Sequence, residues 1–291
     1  MGKIIRALTD DGFVRVCVFD STDVVTKAKK IHGLSNVAAA ALGRALTGAV
    51  IMAADMKEPD NRICISIKSV GEIGAIAAES YKTGEVKGFV SNPNVNLPLR
   101  SDGKLDVGGA LGHEGTLSVI KDLGTGEPQT GTVDLVSGEI AEDISYYYSQ
   151  SEQIPTAIGL GVLVSKDGTV LGAGGYMLQL LPDCPEEIIV KAEENIKALP
   201  KNLSLFFAED KDPKELAESL LNDMPFKIIE EYNGIYKCDC SSKKVEKALM
   251  SIGKKELEKI AEEDNGAEVT CHYCNKKYNF SKKDIENLLK P

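Results

Sequence analysis

Cys238-Asp239-Cys240 and Cys271-His272-Tyr273-Cys274 stand near the C-terminus, with positions 241–270 between them. Two close cysteine pairs separated by a helix-forming stretch can converge on one tetrahedral ion. Thiolate sulfurs at roughly 2.3 Å from zinc make a closed structural site. The first pair is unusual, because zinc ribbons mostly use C-x-x-C at both ends, where the two-residue gap lets backbone amides support the sulfurs. A C-x-C pair can share a metal, and it can also close a small, strained disulfide ring when the metal leaves. Two readings stay open on these residues. One is a structural zinc knob; the other is a thiol switch, with zinc on the reduced thiolates and local disulfides in its place after oxidation.

Outward from the pairs, residues 233–291 read as a small module, too short to bury a strong core without a metal. Helices are expected at 242–251 (Val245, Ala248, Leu249) and 253–262 (Leu257, Ile260). A knuckle hairpin follows over Val269 to Phe280, and a last helix starts at Ser281. The module carries 12 Lys/Arg against 10 Asp/Glu, a formal +2, which four thiolates on one Zn²⁺ would bring close to neutral. Lys237, Lys276 and Lys277 flank the cysteines and are expected to favour thiolate over thiol.

Residues 183–232 read as a helical linker. Pro185 opens a helix whose Ile188, Ile189, Ala192, Ile196 and Leu199 share a face, and Pro200 closes it. Asp212-Pro213-Lys214-Glu215 opens another, with Asp212 as cap and Glu215 at the capping-box position, followed by Leu216, Leu220 and Leu221. The stretch holds 13 acidic and 6 basic residues. Short, charged helices with one apolar stripe cannot stand alone. Ile188, Ile189, Ile196, Leu216 and Leu220 are therefore expected to rest on the N-terminal domain and to gate its exposure.

Residues 1–182 read as one α+β domain. Short alternating segments at 13–19, 62–68, 74–79 and 85–90 are expected strands. Ser35 caps a long Ala-rich helix running to about Asp55, whose small side chains suit a central buried position. A further helix is expected over 138–151. Lys166-Asp167-Gly168-Thr169 reads as a hairpin turn. The fold class expected is thus α+β: a sheet-and-helix core, a helical linker and a zinc-binding module.

Composition narrows the function. The chain has 291 residues, 43% apolar and 5% aromatic, with no Trp, so aliphatic side chains and Ala must fill the core. No apolar run of membrane-spanning length and no secretory signal is read, which makes the cytoplasm the expected compartment and excludes a membrane partner. In a reducing compartment seven cysteines suggest metal or redox chemistry rather than a disulfide framework. Cys17 and Cys64 sit in apolar alternations and read as small core residues; Cys184 also reads as structural. The formal charge of -10 argues against nucleic acid.

The remaining motifs carry little chemistry. Gly108-Gly109-Ala110-Leu111-Gly112-His113-Glu114-Gly115 lacks the Walker lysine and the dinucleotide spacing, so turn glycines are the reading. His32 and His113 are loop residues, and His272 lies between ligands of an already filled shell. Glu139, Glu142 and Asp143 read as a solvated helix face. No catalytic order of Ser, His, Cys and Asp stands out, so an enzyme is not expected. A zinc-ribbon nucleic-acid binder is the alternative that the acidic total disfavours. A thiol–disulfide oxidoreductase would need Cys271-x-x-Cys274 at a helix start, and four cysteine ligands leave a zinc hydrolase no open site.

The chain resembles the redox-regulated 33-kilodalton heat-shock chaperone family throughout its length. The segments that carry this are Ala38-Ala39-Ala40-Ala41-Leu42-Gly43-Arg44-Ala45-Leu46-Thr47-Gly48, Lys104-Leu105-Asp106-Val107-Gly108-Gly109 and Val136-Ser137-Gly138-Glu139-Ile140-Ala141-Glu142-Asp143. They continue with Ser149-Gln150-Ser151-Glu152-Gln153, Gly174-Gly175-Tyr176-Met177-Leu178-Gln179-Leu180-Leu181-Pro182 and the two cysteine pairs. The resemblance implies an ATP-independent holdase for unfolding client proteins, folded and largely inactive while reduced and zinc-bound. It further implies oxidation to two disulfides, Cys238–Cys240 and Cys271–Cys274, with release of zinc, unfolding of the module, loss of support for the linker, and dimerisation of the active form.

Overall fold

The computed structural model describes residues 2–263 and 266–289. It is α+β, and it divides into two compact units, Met1–Lys237 and Cys238–Pro291. The stretch 183–232 lies within the first unit, and the cysteine-bearing unit begins at Cys238.

In chain order the first unit holds strands β1 (Gly2–Thr9) and β2 (Val14–Asp20), helices α1 (Thr22–His32) and α2 (Asn36–Ala53), then β3 (Arg62–Ser69), β4 (Ala75–Tyr81) and β5 (Glu85–Val90). Next come the short α3 (Val107–Leu111), β6 (Gly115–Asp122), β7 (Gln129–Asp134), α4 (Ala141–Tyr147) with a π-helical turn at Tyr148–Glu152, β8 (Thr156–Val164) and β9 (Val170–Leu180). Three helices, α5 (Glu186–Ala198), α6 (Leu203–Ala208) and α7 (Pro213–Leu220), precede β10 (Phe226–Tyr236). The second unit holds α8 (Ser242–Ser251), α9 (Lys254–Glu263), β11 (Gly266–Thr270), β12 (Lys277–Ser281) and α10 (Lys282–Leu288).

One ten-stranded sheet runs β7-β6-β3-β4-β5-β10-β1-β2-β9-β8. All its pairs are antiparallel except β10 with β5, which meet in parallel at Ile235 and Tyr236. The α2 helix packs against both halves of this sheet. Of its 18 residues only Asn36 and Arg44 escape full burial. Small side chains permit this: a Cβ on Gly48 would lie 2.7 Å from Ile144 Cδ1. Ser35 caps the helix, its hydroxyl accepting from the Ala38 N–H at 3.1 Å. The helix corrects one expectation. It is long and apolar enough to cross a membrane, with mean hydropathy 1.4 over Asn36–Ala53, yet 89% of that window is buried inside the unit.

Both faces of β2 are covered, which is why it reads as a nearly continuous apolar run. Cys17 and Phe19 face α1 and α2. Val14, Val16 and Val18 join Ile5 and Ala7 of β1 in a second core, roofed by Ala192, Phe206, Phe207, Leu216 and Leu220 of α5–α7. The expected helices are thus present, with Asp212 capping α7 and Glu215 reaching back to complete the capping box. The end of the stretch differs: 226–236 is a strand, inserted between β5 and β1. Its residues alternate half-buried and exposed, and Glu230 is accommodated by Arg6 at 2.6 Å and Lys82 at 2.5 Å.

The helix expected over 138–151 starts later and ends in the π-helical turn. Asp143 explains its start and overturns the solvated-face reading. The carboxylate is fully buried and accepts backbone N–H groups of Val136 (2.8 Å), Ser137 (3.1 Å), Gly138 (3.3 Å) and Ile140 (2.8 Å). Glu139, just outside the helix, pairs with Arg44 at 2.5 Å and Arg100 at 2.7 Å. Only Glu142 stays exposed.

Candidate metal centre

The second unit has a small core of Val245, Leu249, Leu257, Tyr278, Phe280 and Ile285. Its hairpin of β11 and β12 pairs Gly266 with Ser281 through Thr270 with Lys277, so the chain between them must reverse tightly at Cys271–Lys276. It does so as a knuckle. Asn275 donates its N–H to Cys271 O at 2.8 Å, Cys271 donates to Lys276 O at 2.9 Å, and Asn275 takes a φ of 57°, a left-handed conformation that Asn tolerates. The Cys238–Cys240 segment approaches from the end of β10, and Ser241 then caps α8 by accepting from Lys244 N–H at 3.3 Å.

These elements bring Cys238, Cys240, Cys271 and Cys274 together, with all four sulfurs within 4.8 Å of one another. The closest cross-pair approaches are 3.7 Å for Cys238 to Cys271 and 3.4 Å for Cys240 to Cys274. Tetrahedral bonds of roughly 2.3 Å would place sulfurs ~3.8 Å apart, so the set fits a closed, all-thiolate zinc shell. None of the seven cysteines is disulfide-bonded.

The electrostatics differ from expectation. Lys237 is engaged by Glu85 at 2.6 Å and Lys277 by Glu268 at 2.7 Å, while Lys276 lies over the Tyr278 ring at 5.0 Å. No lysine ammonium is among the groups that shift Cys238, Cys240 or Cys274. What supports a thiolate is a residue the sequence reading missed: the Tyr278 hydroxyl donates to Cys240 Sγ at 3.0 Å. Burial pushes the Cys240 thiol up, but hydrogen bonds from Tyr278, Cys274 and Cys238 outweigh it and bring its pKa down to about 7. Burial holds Cys238 well above the ordinary thiol range, with Cys274 and Cys271 adding to the rise, and it raises Cys274 as well. One sulfur of the cluster is thus poised to ionise ahead of two neighbours. An aromatic four positions beyond Cys274, on the inward phase of β12, was the available signal for Tyr278.

The other cysteines sit apart from this chemistry. Cys17 is buried, as expected. Cys64 is only half-buried, because Ile63, Ile65 and Ile67 take the core-facing positions of β3, and burial lifts its pKa to about 11. Cys184 precedes α5 and is half-buried. His272 and His113 are exposed, and His32 Nε2 lies 3.0 Å from the Tyr236 hydroxyl. Gly108 and Gly109 open α3, where Asp106 caps by accepting from Gly109 N–H at 2.8 Å, a turn rather than a phosphate cradle.

The five proposed gate residues divide. Leu216 and Leu220 are fully buried in the second core. Ile188 and Ile196 are half-buried against it, whereas Ile189 is half-buried without joining it. The inward face of α5 centres instead on Ala192 and Asn195. The Asn195 amide donates to Leu220 O (3.1 Å) and Asn222 O (2.9 Å), tying α5 to the end of α7. Phe206 and Phe207, stacked edge-to-face at 5.3 Å between centroids, add the aromatic weight of the roof.

Comparison with known proteins agrees with this arrangement. The family described as Hsp33 protein matches residues 2–281. A 33 kDa chaperonin of Acetivibrio thermocellus is 46% identical over 287 residues, covering 99% of this chain and 96% of the relative. One from Caldanaerobacter subterraneus subsp. tengcongensis is 44% identical over 287 residues, covering 99% and 97%. The crystal structure of the 33 kDa chaperonin (heat shock protein 33 homolog) of Thermotoga maritima superposes with a TM-score of 0.89 at 39% identity, covering 99% of this chain and 97% of that one. A four-thiol module following an α+β core, with this likeness over nearly the whole length, means that the chain belongs to the Hsp33 family.

Proposed function

We propose that the protein is an ATP-independent chaperone that holds unfolding client proteins and is switched by oxidation of its cysteine cluster. The family supports the chaperone role. The observation that carries the switch is the convergence of four thiols within 4.8 Å on a unit whose buried core, among the described residues, is six side chains. A bound zinc would supply on the order of 10 kcal/mol of folding free energy to such a unit. Cys238, Cys240, Cys271 and Cys274 hold it in the reduced state. Peroxide takes two electrons from each pair of thiolates as an S–S bond forms and, with two protons from solvent, leaves two waters; hypochlorous acid takes two electrons and one proton from solvent and leaves water and chloride. The pairing proposed is Cys238–Cys240 and Cys271–Cys274. With the ligand set consumed, the small core is too weak to keep the unit folded.

The next step proposed is loss of α5–α7 from the second core. That would uncover the apolar face of β1, β2 and β9 for non-native chains. The remaining acidic surface would keep the complexes dispersed. Homodimerisation of the active form and a cytoplasmic location complete the reading; no catalytic step is part of it. The test combines metal content, free-thiol count and suppression of aggregation of a chemically unfolded client. Zinc at one per chain in the reduced protein, four thiols lost on oxidation and suppression only afterwards are the expected outcome. Full zinc retention in a Cys271→Ser/Cys274→Ser variant, or equal suppression before and after oxidation, would sink the reading.

A further inference from the structure

The two edges of the ten-stranded sheet are built differently. At one end β7, Gln129–Asp134, is short, mostly exposed and polar, the usual protection of a free edge. At the other end β8 runs nine residues, Thr-Ala-Ile-Gly-Leu-Gly-Val-Leu-Val, without a charge. Its register with β9 fixes which backbone groups are spent. Leu180 donates its N–H to Pro155 O at 3.0 Å, so 155 and 180 form a hydrogen-bonded pair. Alternation along the antiparallel ladder then commits Ala157, Gly159, Gly161 and Leu163 to β9 and turns the N–H and C=O of Thr156, Ile158, Leu160 and Val162 outward. Among the described residues, none of these outward groups has a backbone partner.

This edge faces a groove of about 730 Å³, walled by the segments 99–105 and 196–204. The volume falls within the usual range of ligand sites, ~300–1,000 Å³. Its rim carries Arg44, Lys104, Lys166, Lys197 and Lys201 against the acidic Asp102, on a chain whose formal charge is -10. Arg44 is engaged by Glu139 and Lys197 by Glu193, but Lys104, Lys166 and Lys201 have no ion pair among the described residues. Its apolar lining includes Leu160, Leu163 and Leu171, with Leu199 and Leu203 from the opposite wall.

We propose that the β8 edge is a docking strip for an extended segment of a non-native protein, which adds as an eleventh strand, and that the strip prefers segments alternating apolar and acidic residues. The backbone ladder gives affinity without sequence. In the oxidised form, with α5–α7 withdrawn, Leu160, Leu163 and Leu171 take the apolar side chains, and the unpaired Lys104 and Lys166 select negative charge. The inference rests on the holdase reading and supplies it with a binding site and a client class.

The test uses the full oxidised chain and three fluorescent decapeptides: alternating Val/Glu, alternating Val/Lys, and Val/Glu with two central prolines. Amide hydrogen exchange is followed residue by residue, with aggregation suppression measured in parallel. The Val/Glu peptide should protect the Thr156, Ile158, Leu160 and Val162 amides, while Gly159 and Gly161, already bonded to β9, stay unchanged. It should bind at least tenfold more tightly than the other two. Lys104→Glu/Lys166→Glu, both surface changes, should invert the preference to Val/Lys, and Leu163→Lys should weaken both. Protection elsewhere, or unaltered Val/Glu binding by the double variant, overturns the strip. So does protection of the same amides that grows with protein concentration in the absence of peptide, because a second copy is then the occupant. Aggregation suppression that persists while β8 stays unprotected removes the strip and leaves the holdase reading intact. Loss of suppression by the unsubstituted chain removes that reading instead.

Discussion

Tyr278 shows how one side chain sets the reactivity of a thiol cluster. Its hydroxyl reaches Cys240 at 3.0 Å and stabilises the thiolate, while burial works in the other direction. A hydrogen bond to a charged acceptor contributes about 1.5–3 kcal/mol, and ~1.4 kcal/mol corresponds to one pKa unit. Tyr278→Phe should therefore raise the Cys240 pKa from about 7 toward the ordinary thiol value and lower its thiolate population at neutral pH by roughly tenfold. The check is the pH dependence of alkylation at Cys240 in the reduced, chelator-treated protein. A midpoint unmoved by the substitution would mean that the neighbouring thiols set the value. The flanking lysines, which the sequence offers as the obvious cations, should matter far less. Lys277→Gln should leave the same midpoint unmoved, because that ammonium already faces Glu268.

At the scale of elements, the three helices α5–α7 are held by the second core, to which Ala192, Phe206, Phe207, Leu216 and Leu220 contribute. Leu216 and Leu220 are the buried anchors, and Asn195 is a polar clasp whose loss would leave the Leu220 and Asn222 carbonyls short of donors. Leu216→Glu puts a charge where only apolar atoms surround it, at a cost of several kcal/mol that detachment avoids. Partial aggregation suppression with zinc still bound is the expected phenotype. Ile189→Glu should do much less, since Ile189 stands off the packed face. Asn195→Ala should destabilise the roof by about 1–3 kcal/mol. In hydrogen exchange 183–220 should lose protection in Leu216→Glu while α2 keeps it. Simultaneous loss in both would identify global unfolding as the gate. The same scale explains β10. Its alternation from Phe226 to Tyr236 is readable as a strand, yet the Glu230-Glu231 pair and the preceding helices pull the reading toward a linker. In the fold Glu230 is partly solvated and meets Arg6 and Lys82, partners distant in sequence.

Across the whole molecule, the two compact units differ in what stabilises them. The first buries α2 on nearly all sides and covers both faces of β1, β2 and β9. Among the described residues, the second has six buried apolar side chains and a cluster of four thiols. Treatment of the reduced chain with a strong zinc chelator should therefore unfold 238–291 alone. Calorimetry should show the loss of one low-enthalpy transition while the main transition moves by no more than a few degrees. Exchange should become fast in α8 and α10 and stay slow in α2. A single merged transition that collapses on chelation would show that the metal supports both units.

Much of this was legible in the chain itself. Spacing alone marked Cys238, Cys240, Cys271 and Cys274 as one candidate metal cluster, and the fold does bring the four sulfurs together. Ala-rich composition marked α2 as central, and Ser35, Asp212 and Ser281 marked helix starts, because caps and small faces are local physics. What tertiary structure alone decided involves partners far apart in sequence. Asp143 is a buried anchor for four backbone N–H groups rather than a solvated acid, because the 136–140 loop folds over it. Lys237 is neutralised by Glu85, a residue that the pairing of β10 with β5 brings alongside. The order of strands likewise leaves β8 unpaired on one side and inserts β10 between β5 and β1. Local pattern encodes which face of an element is apolar; which element covers that face, and which charge meets which, is settled only when distant segments pack.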